Sequence, residues 1–195
     1  MFPGPFSLQG PGNDARQMIS AIDYYPLKKM TCYLIFITPL GYMAVIYRVA
    51  PFAVIKILLP SQDKKGLVNA AETFGRQHTG SHDNAFRIKE SIIDYFKGKP
   101  ISTPWRWLEI GGLTKLQQSV LASTADIPYG ELRSYKDIAV AVGRARAYRF
   151  VGTTLANNPF PILIPCHRVI RSDGSFGRFG GGSVLKEKLI ELEAG

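Results

Sequence analysis

The chain has 195 residues, 46% of them hydrophobic and 20% charged, which is a globular composition and excludes a disordered chain. That length suffices for one or two small domains with a sizeable core. The formal net charge of +9 favours a polyanionic partner, nucleic acid before an anionic membrane. A basic protein without such a partner remains an alternative at this point.

The first half of the chain begins with residues 1–29, which are rich in proline and glycine and are interpreted as an extension. Three β-rich runs follow at 31–38, 41–49 and 52–60, separated by "PLG" and "AP". They predict short strands joined by tight turns. The run from Thr31 to Tyr47 has no charge, but Pro39 and Gly41 break it and Arg48 ends it. It therefore falls short of the ~18 apolar residues of a membrane span, and no membrane segment is predicted.

Residues 61–84 form a polar, glycine-containing stretch, and its end, "QHTGSHDN", is interpreted as a polar loop. His78 and His82 have a spacing that metal ligands use, but no further ligand completes a site, so no metal is expected. Apolar residues at helical spacing predict a helix within 85–97, with a glycine and a proline behind it as stop signals. We therefore predict an N-terminal α/β domain over 30–103, in which no residue is assigned a catalytic role.

A linker at 104–112 leads to a mainly helical domain predicted over 113–195. A first helix around Leu116 to Leu121 ends before the turn "IPYG". Ser134 and Asp137 have capping-box spacing and predict the start of a second helix, which Gly143 ends. A third helix follows, with Ala147, Phe150, Val151 and Leu155 on one face and Arg146, Arg149 and Thr153 on the other.

Two short helices around a glycine turn are typical of a helix-turn-helix, in which the second helix contacts DNA. Between Arg144 and Arg178 the chain has six arginines, no lysine and one acidic residue. Arginine is well suited to phosphate contacts and to stacking on bases. DNA binding is therefore favoured, and a helical hairpin with a solvated basic face is the alternative.

The run "PFPILIPCH" is interpreted as a buried extended segment that leads to Cys166. Only one other cysteine is present, which is too few for a disulfide framework and favours a reducing compartment. A thiol becomes a nucleophile when nearby cations lower its pKa, and His167 is adjacent. Because neighbours in an extended chain point to opposite faces, His167 would act through a turn or a bridging water. The acids that could orient it are Asp173, Glu187, Glu191 and Glu193.

The end of the chain has two further features. Five glycines within residues 171–183 form a loop that can approach a ligand closely. Residues 183–195 then predict an amphipathic helix, whose inward face would carry Val184, Leu185, Leu189 and Leu192.

Together these residues resemble the O6-alkylguanine-DNA alkyltransferases. The signature "PCHRV" is intact, and "IPYGELRSYKDIA", "NNPFPILIPCHRVI" and "KEKLIELE" extend the resemblance across 113–195. "TPLGYMAVIY" and "YFKGKP" resemble the family's N-terminal domain more loosely, and residues 1–29 have no counterpart. The resemblance implies direct-reversal DNA repair, in which O6-alkylguanine, and O4-alkylthymine as well, is flipped out of double-stranded DNA and loses its alkyl group to the protein.

The resemblance also implies the roles of the site residues. Cys166 would accept the alkyl group, His167 would be its water-linked base, and Glu193 would orient that histidine. Tyr135 would give a proton to the leaving guanine, and Asn158 would support the active-site turn. Transfer would be irreversible, because water does not readily cleave a thioether, and it would need no cofactor and no metal.

The expected DNA contact at the lesion is Arg149, which would fill the gap left by the flipped base. Further DNA contacts are expected from Arg146, Thr153, Ser134 and Arg168. The expected substrate pocket comprises Phe176, Gly177, Phe179, Gly180 and Gly181. Many relatives have an aromatic–serine pair where this chain has Phe179 and Gly180. The contact that a hydroxyl group makes to the base in those relatives is therefore missing here or is made by a backbone N–H group.

Two other classes of function remain open. A non-enzymatic lesion-binding protein of the same fold would lack the cysteine, and a Cys–His hydrolase would lack the basic helix and would turn over repeatedly. For the alkyltransferase we expect a monomer in the cytoplasm, or in the nucleus if the source is eukaryotic.

Overall fold

The computed structural model describes residues 30–77 and 82–195, so the expected extension at 1–29 and His78 lie outside the described residues. The predicted strands are present as β1 (Thr31–Thr38), β2 (Gly41–Arg48) and β3 (Ala53–Ser61). They pair in antiparallel fashion, and a short parallel strand, β4 (Arg76–Gln77), completes the sheet in the order β3-β2-β1-β4.

A helix that was not predicted, α1 (Lys64–Glu72), lies within the polar stretch 61–84. Asp63 caps this helix by accepting a hydrogen bond from the Gly66 backbone N–H. Leu67 and Ala71 lie one turn apart and pack on one face of the sheet. Only two buried positions in nine residues left too weak an apolar pattern to predict the helix.

The opposite face of the sheet is covered by the predicted helix, α2 (Asp83–Tyr95), which buries Ala85, Ile88, Ile92 and Tyr95. Because α1 and α2 cover the two faces, β2 is buried along almost its whole length. The core on the α2 side continues without a break into the second half of the chain. The first half thus supplies part of the wall on which the second half packs.

Residues in the predicted linker also join this packing. A single 3-10 turn spans Trp105–Trp107, and the Glu109 backbone N–H then donates to the Val54 carbonyl oxygen at 2.9 Å. Leu108 is buried beside that bond. This segment is therefore pinned to strand β3.

The second half contains helices α3 (Lys115–Ala125), α4 (Tyr135–Ala141), α5 (Tyr148–Ala156) and α6 (Gly182–Ala194). Strands β5 (Arg133–Ser134) and β6 (Val169–Ile170) form a small parallel pair. The capping box that was predicted at the start of α4 is present, and Gly143 has φ +69° in the turn between α4 and α5. The mixed α/β fold class is thus confirmed.

Three local predictions are wrong. Phe150 and Val184, expected to face inward, are 36% and 64% exposed, and Lys186 occupies the inward face of α6 instead. The segment before Cys166 is buried as expected, but it is a tight turn closed by a bridge between Pro161 and Ile164, not an extended run.

Within the described ranges, no helix has the length and apolar character needed to cross a membrane.

Candidate active site

Cys166 lies at the start of a one-turn 3-10 helix, Cys166–Arg168, whose three side chains are buried. The chain enters this helix from a turn in which Ile162 has φ +72°, a left-handed conformation that β-branched residues rarely adopt. Such strain persists only where surrounding contacts determine the backbone. Because the helix turns the chain, Cys166 and His167 are not constrained to opposite faces as they would be in a strand.

Asn158 supplies three of those contacts. Its side-chain N–H groups donate to the Ile164 carbonyl oxygen at 3.0 Å and to the Cys166 sulfur at 3.2 Å. Its side-chain oxygen accepts from the Phe160 backbone N–H at 3.0 Å. One amide thus ties both ends of the strained turn and also contacts the thiol.

A buried polar cluster lies on the other side of the turn and centres on the Glu193 carboxylate from α6. Its Oε1 accepts hydrogen bonds from Tyr95 Oη at 2.7 Å, His167 Nε2 at 2.7 Å and Arg168 Nη2 at 3.0 Å. Its Oε2 accepts from Arg168 Nε at 2.8 Å and from the Gly130 backbone N–H at 3.1 Å. Of the four acids that could orient His167, Glu193 is the one in contact with it.

Arg168 was predicted to contact DNA, and this prediction is wrong. Its guanidinium is buried, holds both oxygens of Glu193, and donates to the Ile127 carbonyl oxygen at 2.6 Å. A buried carboxylate needs a paired cation to offset its desolvation, and Arg168 is that cation.

These contacts set the charge states of the cluster. Burial alone would raise the pKa of Glu193, but hydrogen bonds from His167 and Arg168 lower it to about 2. Burial lowers the pKa of His167 despite the neighbouring carboxylate. At neutral pH the cluster therefore contains a carboxylate and a neutral imidazole. Nδ1 of that imidazole is buried and has no protein hydrogen-bond partner among the described residues.

The thiol itself is held protonated by its surroundings. Burial raises the pKa of Cys166, and the Asn158 hydrogen bond and the positive charge of Lys186 counteract part of that rise. The sequence suggested that nearby cations would lower this pKa. The structure instead brings a lysine close, and burial outweighs it.

Lys186 is a residue that the sequence analysis missed. It is fully buried in α6, donates to the Val169 carbonyl oxygen, and its Nζ lies 5.7 Å from the centre of the Tyr135 ring. Burial lowers its pKa to about 8. The sequence signal for it was weak: Lys186 lies three residues before Leu189 and seven before Glu193, on the face of α6 that is buried.

Tyr135, the first residue of α4, stands between this interior and the surface. Its hydroxyl donates to the Arg178 carbonyl oxygen at 3.4 Å, and burial followed by the proximity of Cys166 raises its pKa. Gly177 contacts the same hydroxyl so closely that a Cβ atom there would overlap it. The glycine is thus required by the close approach of the ring.

Outside Tyr135 the surface opens into a groove of about 890 Å³ between α4, α5 and the glycine loop. Its side chains include four cations and no acid. The lining residues are Tyr135, Lys136, Tyr148, Arg149, Gly152, Thr153, Ala156, Asn157, Arg171, Ser172, Gly177 and Arg178. An adjoining recess of about 400 Å³ is lined by loop residues that include Phe176, Gly177, Phe179 and Gly180.

The other residues that were predicted to contact DNA or the base lie outside the linings of the groove and the recess. Ser134 caps α4 by accepting from the Asp137 backbone N–H at 3.1 Å, and Arg146 lies in the α4–α5 turn beside a separate depression. Gly181 contacts Leu185 and Leu59 and does not line the recess. Among the pocket residues, Gly181 is therefore a packing position.

The chain is similar to known methylated-DNA–protein-cysteine methyltransferases. Residues 115–195 match the family model described as "6-O-methylguanine DNA methyltransferase, DNA binding domain". A methylated-DNA–protein-cysteine methyltransferase of Methanosarcina barkeri is 48% identical over 99 residues, which cover 51% of this chain and 61% of the relative. The curated relatives are thus matched over about three fifths of their length or less.

Two solved structures match over more of the chain. The Mycobacterium tuberculosis O6-methylguanine methyltransferase is 30% identical with a TM-score of 0.69, covering 85% of this chain and 93% of that one. The same organism's OGT in complex with DNA is 29% identical with a TM-score of 0.69, covering 84% and 92%.

Proposed function

Because the chain belongs to the methylated-DNA–protein-cysteine methyltransferase family, we propose that it repairs alkylated DNA by transferring the alkyl group from O6 of guanine to Cys166. The observation that carries this proposal is the arrangement of the site. A buried free thiol and a neutral imidazole on a carboxylate lie behind a groove lined by cations. We extend the substrate to O4-alkylthymine, which presents an alkyl ether at a comparable ring position.

The hydrogen bonds around His167 support its role as the base. Nε2 faces the Glu193 carboxylate at 2.7 Å, so it carries the proton and leaves Nδ1 with a free lone pair. The Cys166 proton passes to Nδ1 through a bridging water. The thiolate that forms is stabilised by the Lys186 charge and the Asn158 amide.

The transfer is a single displacement. The Cys166 sulfur attacks the alkyl carbon, a C–S bond forms, and the O6–carbon bond breaks with its electron pair leaving on guanine. Tyr135 donates the proton that neutralises the leaving base and then regains a proton from solvent. The proton taken from the thiol remains on His167 until it is released to solvent, so the overall reaction exchanges no net proton with solvent. The product is a thioether, so each molecule acts once and the reaction needs no cofactor and no metal.

The groove explains how the thiol would reach a base inside a duplex. Cys166 is buried behind Tyr135, so a stacked base cannot contact it and the nucleotide must rotate out of the helix. Arg149 lies in α5 on the wall of the groove and would fill the vacated position. Phosphates on either side would contact the other groove cations.

The recess would hold the flipped guanine. Phe179 and Gly180 line it and have no hydroxyl group, so their own contacts to the base edge would come from backbone N–H groups, whereas Ser183 in the same lining has a hydroxyl. We propose that the protein binds the double-stranded lesion as a monomer.

The test is to incubate the protein with a duplex containing O6-methylguanine and to measure its intact mass and peptide masses. We expect one methyl group, limited to one equivalent, on the Cys166 peptide. Cys166→Ser should abolish the mass gain with nearly unchanged DNA affinity. Cys32→Ser, which alters the other buried thiol, should keep the mass gain. Binding of the lesion without any mass gain would favour a non-enzymatic lesion-binding protein, and repeated turnover would favour a hydrolase.

A further inference from the structure

Tyr95 connects the first half of the chain to the candidate active site. It is the last residue of α2, its side chain is fully buried, and it is separated from His167 by 72 positions and from Glu193 by 98. The sequence analysis assigned no catalytic role to any residue of that half. The segment "YFKGKP", which begins at Tyr95, indicated the end of a helix and a loose resemblance to the family's N-terminal domain, but no role for the tyrosine.

The hydroxyl of Tyr95 closes a triangle with the histidine and the carboxylate. Its oxygen lies 2.7 Å from Glu193 Oε1 and 3.1 Å from His167 Nε2. A phenol has one proton, and the ionised carboxylate can only accept, so Tyr95 donates to Glu193. Its oxygen lone pair then faces the Nε2 proton, which Glu193 and Tyr95 share.

We propose that Tyr95 is a positioning residue of the transfer reaction, whose hydroxyl holds the Glu193 carboxylate and the His167 ring in the orientation that directs Nδ1 towards Cys166. This inference rests on the proposed function. It makes the first half of the chain part of the active site, although none of the described residues of that half lines the groove.

A purely structural role for Tyr95 would depend on its ring. The ring packs edge-on against Phe96 at 5.3 Å, Tyr129 at 6.1 Å and His167 at 6.1 Å between centroids. Tyr95→Phe keeps these contacts and removes only the hydroxyl. It leaves Glu193 Oε1 with its two other donors, His167 and Arg168, so the buried charge stays paired.

The expected effect is on the chemical step alone. Without the hydroxyl, the imidazole and carboxylate lose their shared third partner and can rotate relative to the thiol. We expect the single-turnover rate constant at saturating lesion DNA to fall roughly tenfold, a part of the ~10²–10⁴-fold that a positioned general base contributes. The affinity for the lesion duplex should stay within twofold of the unaltered protein, because Tyr95 is not in the groove.

Tyr33→Phe is a matched control. Tyr33 is also a buried tyrosine of the first half, and its hydroxyl also donates to a carboxylate, Glu72 Oε1 at 3.4 Å, but from the strand β1. We expect Tyr33→Phe to lower the melting temperature without lowering the transfer rate. A second readout is the reaction with free O6-benzylguanine, on which Tyr95→Phe should lose as much as it does on the duplex.

The outcomes are distinguishable. Transfer by the unaltered protein with a Tyr95→Phe rate within twofold of it would overturn this inference and leave the proposed function intact. So would a loss confined to DNA affinity, or an equal loss of rate in Tyr33→Phe. If the unaltered protein transfers no alkyl group, the proposed function itself fails.

Discussion

Replacement of Glu193 by glutamine tests the electrostatic design of the site, because it changes charge with almost no change in shape. The carboxylate accepts five hydrogen bonds from four residues. A glutamine amide offers one oxygen and one NH2 group. Whichever way the amide is turned, its NH2 group faces at least two donors, and the buried Arg168 guanidinium loses its counter-charge.

Two independent arguments give the size of the stability loss expected for Glu193→Gln. Removing one partner of a buried ion pair destabilises a protein by about 3–5 kcal/mol. The Glu193 pKa is lowered from 4.5 to about 2, and at about 1.4 kcal/mol per pH unit this difference corresponds to roughly 3 kcal/mol. For a chain of this length, a loss of about 3–5 kcal/mol lowers the melting temperature by roughly 6–20 °C.

The direction of the Glu193 pKa shift determines how the stability difference changes with pH. A carboxyl whose pKa is lowered on folding contributes stability that is fully present above its unfolded pKa, 4.5, and is lost as the pH falls through about 2. The unfolding free energies of the unaltered protein and of Glu193→Gln should therefore differ most at pH 7 and converge as the pH is lowered towards 2.

Urea unfolding at pH 7, 4 and 3 measures this difference, with Glu191→Gln as the control. Glu191 is an exposed residue of the same helix, and its replacement should change stability by less than about 0.5 kcal/mol. A Glu193→Gln variant as stable as the control at pH 7, or a difference that stays constant with pH, would refute the electrostatic reasoning.

Three further expectations follow from the site. Lys186→Met should raise the Cys166 pKa and move the rise of the transfer rate to higher pH, and a pH–rate profile with Lys188→Met on the exposed face as control would show it. Gly177→Ala should displace Tyr135 and reduce transfer at least tenfold while lesion binding, measured by fluorescence anisotropy, persists. DNA affinity should fall steeply with salt, since the groove cations displace counterions; a flat salt titration would contradict that.

The Arg149 role can be separated from chemistry by substrate choice. Arg149→Ala should slow repair in a duplex at least tenfold more than reaction with free O6-benzylguanine, because only the duplex must be opened. Arg87→Ala removes the same charge from an exposed position of α2 and should leave both reactions unchanged. Equal losses on the duplex and the free base would contradict the gap-filling role.

Much of the fold could be predicted because it depends on local patterns. The strands β1 to β3 are continuous β-rich runs separated by two prolines and a glycine, and α4 begins at a capping box that is recognisable in the sequence. Where the local pattern was weak, as in α1 with two buried residues, prediction failed. The turn before Cys166 failed for a different reason, because Ile162 adopts a conformation that its own side chain disfavours and that distant contacts impose.

The site was less predictable than the fold, because its polar contacts join residues far apart in the chain. The sequence predicted that His167 would act on Cys166 through a turn or a bridging water, and it left four acids open as the partner of His167. The structure gives His167 partners from α2 and α6, and gives Cys166 its contact from Asn158. Arg168 and Lys186 are cations that the sequence alone would place on the surface. Both are buried because each has an acceptor in the interior: the Glu193 carboxylate for Arg168 and the Val169 carbonyl oxygen for Lys186.

The raised pKa of Cys166 is consistent with an acceptor that can be used only once. An exposed thiolate would react with any electrophile that reached it, and an alkylated molecule cannot act again. Burial keeps the thiol protonated, so nucleophilicity depends on a base that lies within the protein and on a substrate that has entered the recess. The low pKa of His167 keeps that base unprotonated at neutral pH. Under the proposed reaction, selectivity for DNA lesions therefore arises from withholding the thiolate until a flipped base is in place.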